Sequence, residues 1–360
     1  MAKKKKSFSS FVNNPIDFTL LITILVLLSI GLVMVLSASS PSALAESGNS
    51  YSFFSKQLIF AVLGLAAMLF ISKIDYRFYK KFYKHAWWIA LLLLALVLVA
   101  GKEVNGAKRW IFVTETLSFQ PSEMVKFLMI VFYAGILVKN RDELSKYGKG
   151  FIKHLLFLAP IIGLLLLQPH FSASIVIIGI CAIMMIMAGC KFWHFLATGA
   201  VAGIPALILL IVKEPYRLQR VMTFLDPWKD ATGTGWQVIQ SLYAIGSGGL
   251  FGAGLGESKQ KYLYIPEPHN DFIFSILGEE LGFIGCAVVL ILFAIFIWRG
   301  ILIAMKAPDM FGSLVAIGIT ALVAIQVIIN VAVVTSSMPA TGMPLPFFSY
   351  RRNCAVYIAM

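Results

Sequence analysis

Apolar residues run in long unbroken stretches separated by short polar segments. The pattern shows neither the alternation of a half-buried strand nor the one-sided stripe of a soluble helix. Stretches of about 17–22 such residues can each cross a ~30 Å hydrocarbon core as a helix. They predict spans at 17–38, 57–72, 86–101, 121–138, 154–168, 171–189, 192–212, 271–298 and 311–335. A tenth opens near Phe347 and is cut off at Met360. Ala43-Leu44-Ala45 looks like a signal-peptide cleavage site, but the apolar segment before it is longer than a typical signal core, so a retained helix is expected.

Composition agrees with this pattern. Hydrophobic residues make up 59% of the chain and charged residues 13%, against roughly 45–50% and about 25% in soluble domains. Mean hydropathy is +0.86. A soluble enzyme, a disordered chain and a disulfide-rich secreted domain are excluded. The expectation is an all-α polytopic membrane protein, one domain over 1–360. Cys181, Cys190, Cys286 and Cys354 stand singly, without metal spacing, and read as small buried hydrophobes.

The net charge of +13 changes the picture only through its placement. With the N-terminus (a basic tail, 1–16) in the cytoplasm, the segments 3–6, 73–84 and 139–153 with Lys191, Arg299 and Lys306 hold 17 of the 30 cations on the inner side. That is the positive-inside bias of short loops, so no nucleic-acid patch is needed. The same topology puts two larger segments outside. One is the amphipathic stretch 102–120, suited to the interface plane; the other is a 58-residue loop, 213–270, between spans seven and eight. No internal repeat is evident, which weakens a transporter reading.

Candidate chemistry clusters in these external segments. Asp271 opens span eight, either as an N-cap or as a general base held at the membrane surface. Glu279 and Glu280 lie about two turns deeper, where burial demands partners, and structural pairing is the favoured reading. In span four Ser122 is placed to cap the helix after Pro121, and Glu123 and Lys126 are i,i+3 neighbours. Lys126 either snorkels or meets an anionic headgroup. Lys108 and Arg109 are an interfacial anchor or a phosphate clamp. The glycine-dense run 246–256 matches no nucleotide loop and reads as a tight re-entrant turn. His170 and His194 lack metal-ligand spacing and read as structural.

Several motifs then occur in order. They are Asn105-Gly106-Ala107-Lys108-Arg109-Trp110-Ile111, Gln120-Pro121-Ser122-Glu123 with Lys126, Asp226-Pro227-Trp228, and Gln240-Ser241-Leu242-Tyr243-Ala244-Ile245-Gly246. Gly254-Leu255-Gly256-Glu257-Ser258, Pro266-Glu267-Pro268-His269-Asn270-Asp271-Phe272, Glu279-Glu280-Leu281-Gly282-Phe283 and Pro339-Ala340-Thr341-Gly342-Met343-Pro344-Leu345-Pro346-Phe347 follow. Together they make the chain resemble the SEDS family (shape, elongation, division and sporulation), closest to its FtsW and SpoVE branch.

The resemblance implies ten helices in the bacterial cytoplasmic membrane and a peptidoglycan glycosyltransferase, an inverting hexosyl transferase. Its substrate would be lipid II (undecaprenyl-pyrophosphate-linked disaccharide pentapeptide), polymerised outside the cell with a class B penicillin-binding protein and other divisome or sporulation membrane proteins. It makes Asp271 the essential loop aspartate and Glu123 with Lys126 a functional ion pair. Two departures stand out. His170 occupies a position where the family usually has aspartate. After Ser349-Tyr350 the family continues with two glycines and a tenth helix, whereas Arg351-Arg352-Asn353-Cys354 follows here, which looks like a frameshift or truncation and makes 351–360 an aberrant tail.

The expected mechanism needs few groups, because a pyrophosphate leaves without a general acid or ATP. Asp271 would deprotonate the acceptor hydroxyl, while Lys108, Arg109, Lys126, Arg217 and Arg220, with Glu123 as the partner of Lys126, would bind the headgroup. No cofactor is established by the sequence; a divalent cation (Mg or Mn) could assist, but no ligand set is legible. A lipid II flippase and a non-catalytic scaffold for a penicillin-binding protein are the alternatives.

Overall fold

A carboxylate just before an apolar run decides where the first helix begins. Asp17 Oδ1 accepts a hydrogen bond from Leu20 N at 3.0 Å, capping α1 (Phe18–Ser47), and Gly48 ends it in the left-handed region at φ 68°. The computed structural model describes residues 16–104, 107–112, 118–213, 215–233, 235–262 and 270–349. The basic tail before residue 16, the 263–269 stretch with Pro266 to His269, and the tail with Arg351 and Arg352 lie outside the described residues.

Among the described residues nine helical segments are long and apolar enough to cross a membrane. They are α1, α2 (Ser52–Ile71), α3 (Arg77–Ala100), α4 (Pro121–Lys139), α5 (Lys153–Leu167) with the turn before it, α6 (Phe171–Ala188), the paired α7 (Phe192–Thr198) and α8 (Ile204–Val212), α11 (Ile273–Lys306) and α12 (Met310–Val334). These coincide with the nine expected spans, but α1, α3 and α11 are longer than their apolar stretches. Hydropathy marks only the part of a helix that prefers lipid, whereas backbone hydrogen bonding carries it on into polar sequence. Ala43, in the cleavage-like triplet, is fully buried inside α1. In α11 the part beyond Gly282, residues 283–306, is about 36 Å long at 1.5 Å per residue, enough to cross a ~30 Å core.

The helices are unequal partners. In α4, 78% of the apolar window is buried, while in the α7–α8 pair none is. α4 is therefore the central post, packed against α3, α6 and α12, and α7–α8 is peripheral. The seam around α4 includes Met129, Ile130, Tyr133 and Leu137, all essentially inaccessible.

The amphipathic 102–120 segment has strands among its described residues. It folds as an antiparallel sheet of β1 (Lys102–Val104), β2 (Ala107–Phe112) and β3 (Ser118–Phe119), with Glu103 opposite Lys108 and Ile111 opposite Phe119. The opposite-charge cross-strand pair Glu103–Lys108 supports that register. In the 213–270 connection α9 (Pro215–Leu225) and α10 (Trp236–Gly248) are helical.

The glycine-dense run after α10 is a turn wedged against a break in α11. Gly282 has φ 66° and ψ −167°, which divides α11 into two pieces. Groups freed by the break are satisfied from the turn: Phe283 N donates to Gly249 O at 2.9 Å, and Ala253 N to Glu279 O at 2.9 Å. Gly249, Gly252, Gly254 and Gly256 all take positive φ, so only glycine follows this path at ordinary cost. The turn itself is largely exposed, but it covers the buried break at Gly282, where non-helical backbone is tolerated for that reason.

After α12 the chain folds back through Pro339 to Phe348. Phe347 and Phe348 pack beside Phe293, so the beginning of the tenth apolar stretch is core. Residues 350–360 lie outside the described residues.

Candidate active site

The N-terminus of α4 brings a charged pair into the interior. Pro121 occupies the first turn, where its missing N–H costs nothing, and Gln120 holds the cap position. Ser122, expected to cap, instead lies inside the helix, its hydroxyl buried without a hydrogen-bond partner among the described residues. One turn on, Lys126 Nζ donates to both carboxylate oxygens of Glu123 at 2.9 Å. Both side chains are at most 3% exposed. Lys126 therefore does not snorkel to the surface: it is a buried cation held against a carboxylate, an arrangement that survives only when paired.

Around this pair the start of α6 acts as a hub. His170 stands at the α6 cap and accepts from Ala173 N through Nδ1 at 3.4 Å, while Nε2 lies 2.7 Å from Gln120 Nε2. Arg109, from β2, donates to Pro169 O. The Arg217 guanidinium sits 5.8 Å from the centre of the Phe171 ring and donates to Leu210 O. Ser172 donates to Thr341 O, which ties α6 to the segment after α12. On that same segment Ala340 O accepts from Arg220 Nη1 at 2.7 Å. Arg109, the Glu123–Lys126 pair, Arg217 and Arg220 thus converge at one end of the bundle. Lys108 differs: it is exposed on the sheet, across from Glu103.

Asp271 reaches the cluster from the other side. It does not cap α11; Phe272 occupies the cap position, with no side-chain hydrogen bond there. Asp271 instead sits in the turn one residue earlier, half-buried. Its Oδ2 lies 3.3 Å from where a Cβ on Gly342 would be, and Gly342 has φ +68°. The glycine both permits that backbone path and leaves room beside the carboxylate. Asn330, on α12, holds the Asp271 main-chain carbonyl at 2.9 Å.

Glu279 and Glu280 are structural partners of the glycine turn. Glu279 accepts from Ser258 Oγ at 2.5 Å and from Lys259 N at 2.8 Å. Glu280 accepts from Ser37 Oγ at 2.6 Å and from Lys261 Nζ at 3.0 Å. Lys261, counted among the loop cations, is in fact buried. Sequence reading did not single out this ion pair, because nothing local says that a lysine beyond a glycine turn folds back onto α11. It also passed over Asn330, whose signal was available: an amide inside an apolar span is costly unless partnered.

Beside the cluster a groove of about 320 Å³ runs between α9, α10 and the segment after α12, lined by Arg220, Thr223, Trp236, Gln237, Ser336 and Ala340 among others. An aromatic face among amide, hydroxyl and guanidinium groups suits a polar ring-bearing ligand. No three His, Cys, Asp or Glu side chains among the described residues lie close enough to hold a metal ion.

The FtsW/RodA/SpoVE family model, described as "Cell cycle protein", matches residues 18–356. "Stage V sporulation protein E" of Bacillus subtilis (strain 168) is 44% identical over 336 residues, covering 93% of this chain and 91% of the relative. A "Probable peptidoglycan glycosyltransferase FtsW" of Trichlorobacter lovleyi is 43% identical over 336 residues, covering 93% and 88%. Among solved structures, a chain described under "Structural coordination of polymerization and crosslinking by a peptidoglycan synthase complex" superposes with a TM-score of 0.77 at 30% identity, over 95% of this chain and 94% of that one. The rod shape determining protein RodA of Thermus thermophilus gives 0.68 at 26% identity, over 95% and 92%.

Proposed function

Since this chain belongs to the FtsW/RodA/SpoVE family of cell cycle proteins, we propose that it polymerises lipid II into glycan strands at the outer face of the bacterial cytoplasmic membrane, for division or sporulation. The activity is peptidoglycan glycosyl transfer, the one its FtsW-named relatives carry in their names. The N-terminus lies in the cytoplasm, which puts Asp271 and the guanidinium cluster outside. A class B penicillin-binding protein is the partner, in keeping with the synthase complex whose membrane chain this one resembles.

The observation that carries the reading is the convergence of Arg109, Arg217, Arg220 and the Glu123–Lys126 pair with the Asp271 turn around residues 340–342. In the transfer, Asp271 takes the proton from the acceptor sugar hydroxyl as that oxygen attacks the anomeric carbon of the donor. The bond from that carbon to the pyrophosphate oxygen breaks, and its electron pair leaves with the pyrophosphate. Fixed cations stabilise the charge as it develops there, in a site where water competes weakly. Lys126, buried and already paired, sets the local potential, whereas Lys108, on the exposed sheet, meets the headgroup first. A Mg or Mn ion held largely by the substrate pyrophosphate would add to this charge stabilisation, since such an ion needs only one or two protein carboxylates.

The test is polymerisation of purified lipid II by the purified chain in complex with a penicillin-binding protein whose own activity is blocked. Glycan chains are expected. Headgroup translocation without polymer would favour a flippase, and neither activity would favour a scaffold.

A further inference from the structure

Asn330 is the amide that joins the two walls of the site. It sits within the 25-residue apolar helix α12 and is 1% exposed. Its Nδ2 donates to Asp271 O at 2.9 Å and to Met343 O at 2.7 Å. Those carbonyls lie 59 and 13 residues away in sequence, so the bonds serve tertiary placement and not the helix itself. Two carbonyl acceptors demand two N–H donors from one atom, which a primary amide supplies and a carboxylate or hydroxyl does not. The same choice leaves Asn330 Oδ1 buried with no hydrogen-bond partner among the described residues. A buried acceptor in that state is costly, and such costs persist where a function depends on the arrangement.

The two tethered carbonyls belong to the segments that matter. One is the main chain of Asp271. The other adjoins Gly342, whose missing side chain leaves the space beside Asp271 Oδ2. The α11 cap does not orient Asp271, because the helix starts at Ile273 with no side-chain cap at Phe272. We infer that Asn330 is a positioning residue for Asp271, fixing its peptide against the 340–343 segment and so the direction in which the carboxylate meets the acceptor hydroxyl. Asn330 touches no substrate in this role and acts through Asp271; the inference rests on the reading of Asp271 as the base.

Asn330→Leu removes both donors at similar volume, and Asn330→Asp keeps the shape while replacing the donors with acceptors. Each is purified as the full chain with its penicillin-binding partner and assayed for lipid II polymerisation per folded molecule, beside Asp271→Asn and the double variant Asp271→Asn, Asn330→Leu. Positioning predicts that kcat falls at least about tenfold with KM for lipid II unchanged, since small misplacements of a reacting group are costly. It also predicts that the double variant is no slower than Asp271→Asn alone. A kcat within about twofold of the parent, a loss matched by the loss of folded protein, or multiplicative losses in the double variant would each overturn it. Loss in Asp271→Asn with none in the Asn330 variants overturns the positioning role alone, whereas a near-parental Asp271→Asn removes the base and this inference together.

Discussion

Lys261 Nζ lies 3.0 Å from Glu280 Oε1, with 4% and 0% of the two side chains exposed, and the same ammonium reaches Ser37 Oγ at 3.2 Å and Gly256 O at 2.5 Å. One buried cation thus fastens the glycine turn to α1 and to α11 beside the Gly282 break. Removing one member of such a pair leaves an uncompensated charge, whereas removing both is far milder. Lys261→Met is expected to cost about 3–5 kcal/mol. Adding Glu280→Gln should recover much of that loss. Thermal unfolding in detergent reads both, and equal loss in the single and double variants would contradict the pairing.

The Glu123–Lys126 pair has a different expected signature, because it carries chemistry as well as packing. Lys126→Gln alone should lose both stability and polymerisation. Combining it with Glu123→Gln should restore the melting temperature in large part while leaving activity at most about a tenth of the parent, the scale of a lost charge-stabilising group or greater. Recovery of activity together with stability would make the pair purely structural.

How much of this was legible beforehand depends on whether the determining interaction is local. All nine spans were, since twenty apolar residues settle their own environment in a bilayer. The Glu123–Lys126 contact was also visible, because i,i+3 spacing on a helix is nearly a distance. The sheet at 102–119 was less so, since its strands are short and its amphipathicity suits more than one structure. Non-local relations were not legible at all: Lys261 returning to Glu280, Asn330 bridging Asp271 to Met343, Arg220 meeting Ala340. Each joins segments dozens of residues apart or more, or across a turn whose shape only its glycines' dihedral angles reveal. The Ser122 cap failed for another reason: Pro121 shifted the cap position back to Gln120.

At the expected inner end of α1, Arg299 Nη2 bonds Asp17 Oδ2 at 2.5 Å. This hydrogen bond, outweighing a smaller desolvation penalty, holds the Asp17 carboxyl below its ordinary value of 3.8. A depressed carboxyl contributes stability that is fully present above its unfolded pKa and is lost as pH falls through the lower, folded one. The stability difference between the parent and Arg299→Gln should therefore be constant from pH 7 to about 5 and shrink below about 4. A difference that grew on acidification would contradict the assignment.

Topology is tested at exposed lysines on opposite sides. Lys229 follows α9 and Lys80 lies near the start of α3, both exposed. In intact cells a membrane-impermeant maleimide should label Lys229→Cys and spare Lys80→Cys, with both labelled after lysis. The native Cys181 and Cys190 are buried and Cys286 is half-buried, so labelling of the parent chain sets the background. The reverse pattern would place the Asp271 cluster in the cytoplasm and end the proposal of synthesis outside.

Asp271→Asn decides whether the carboxylate does chemistry. The substitution keeps size and shape while turning one acceptor oxygen into an NH2 donor, and Asp271 does not cap α11, so insertion, folding and partner binding should be nearly unchanged. Asn330 bonds the main-chain carbonyl of residue 271, which the substitution leaves in place. An amide is not a useful base at neutral pH, so lipid II polymerisation should fall by at least about 10²-fold, the scale of a lost general base. KM should move little, because the cations that bind the headgroup are untouched. Near-parental polymerisation would show that the acceptor proton goes elsewhere. Glu123, already engaged with Lys126, and Glu279 and Glu280, enclosed by the glycine turn and Lys261, would then need to be tested in turn.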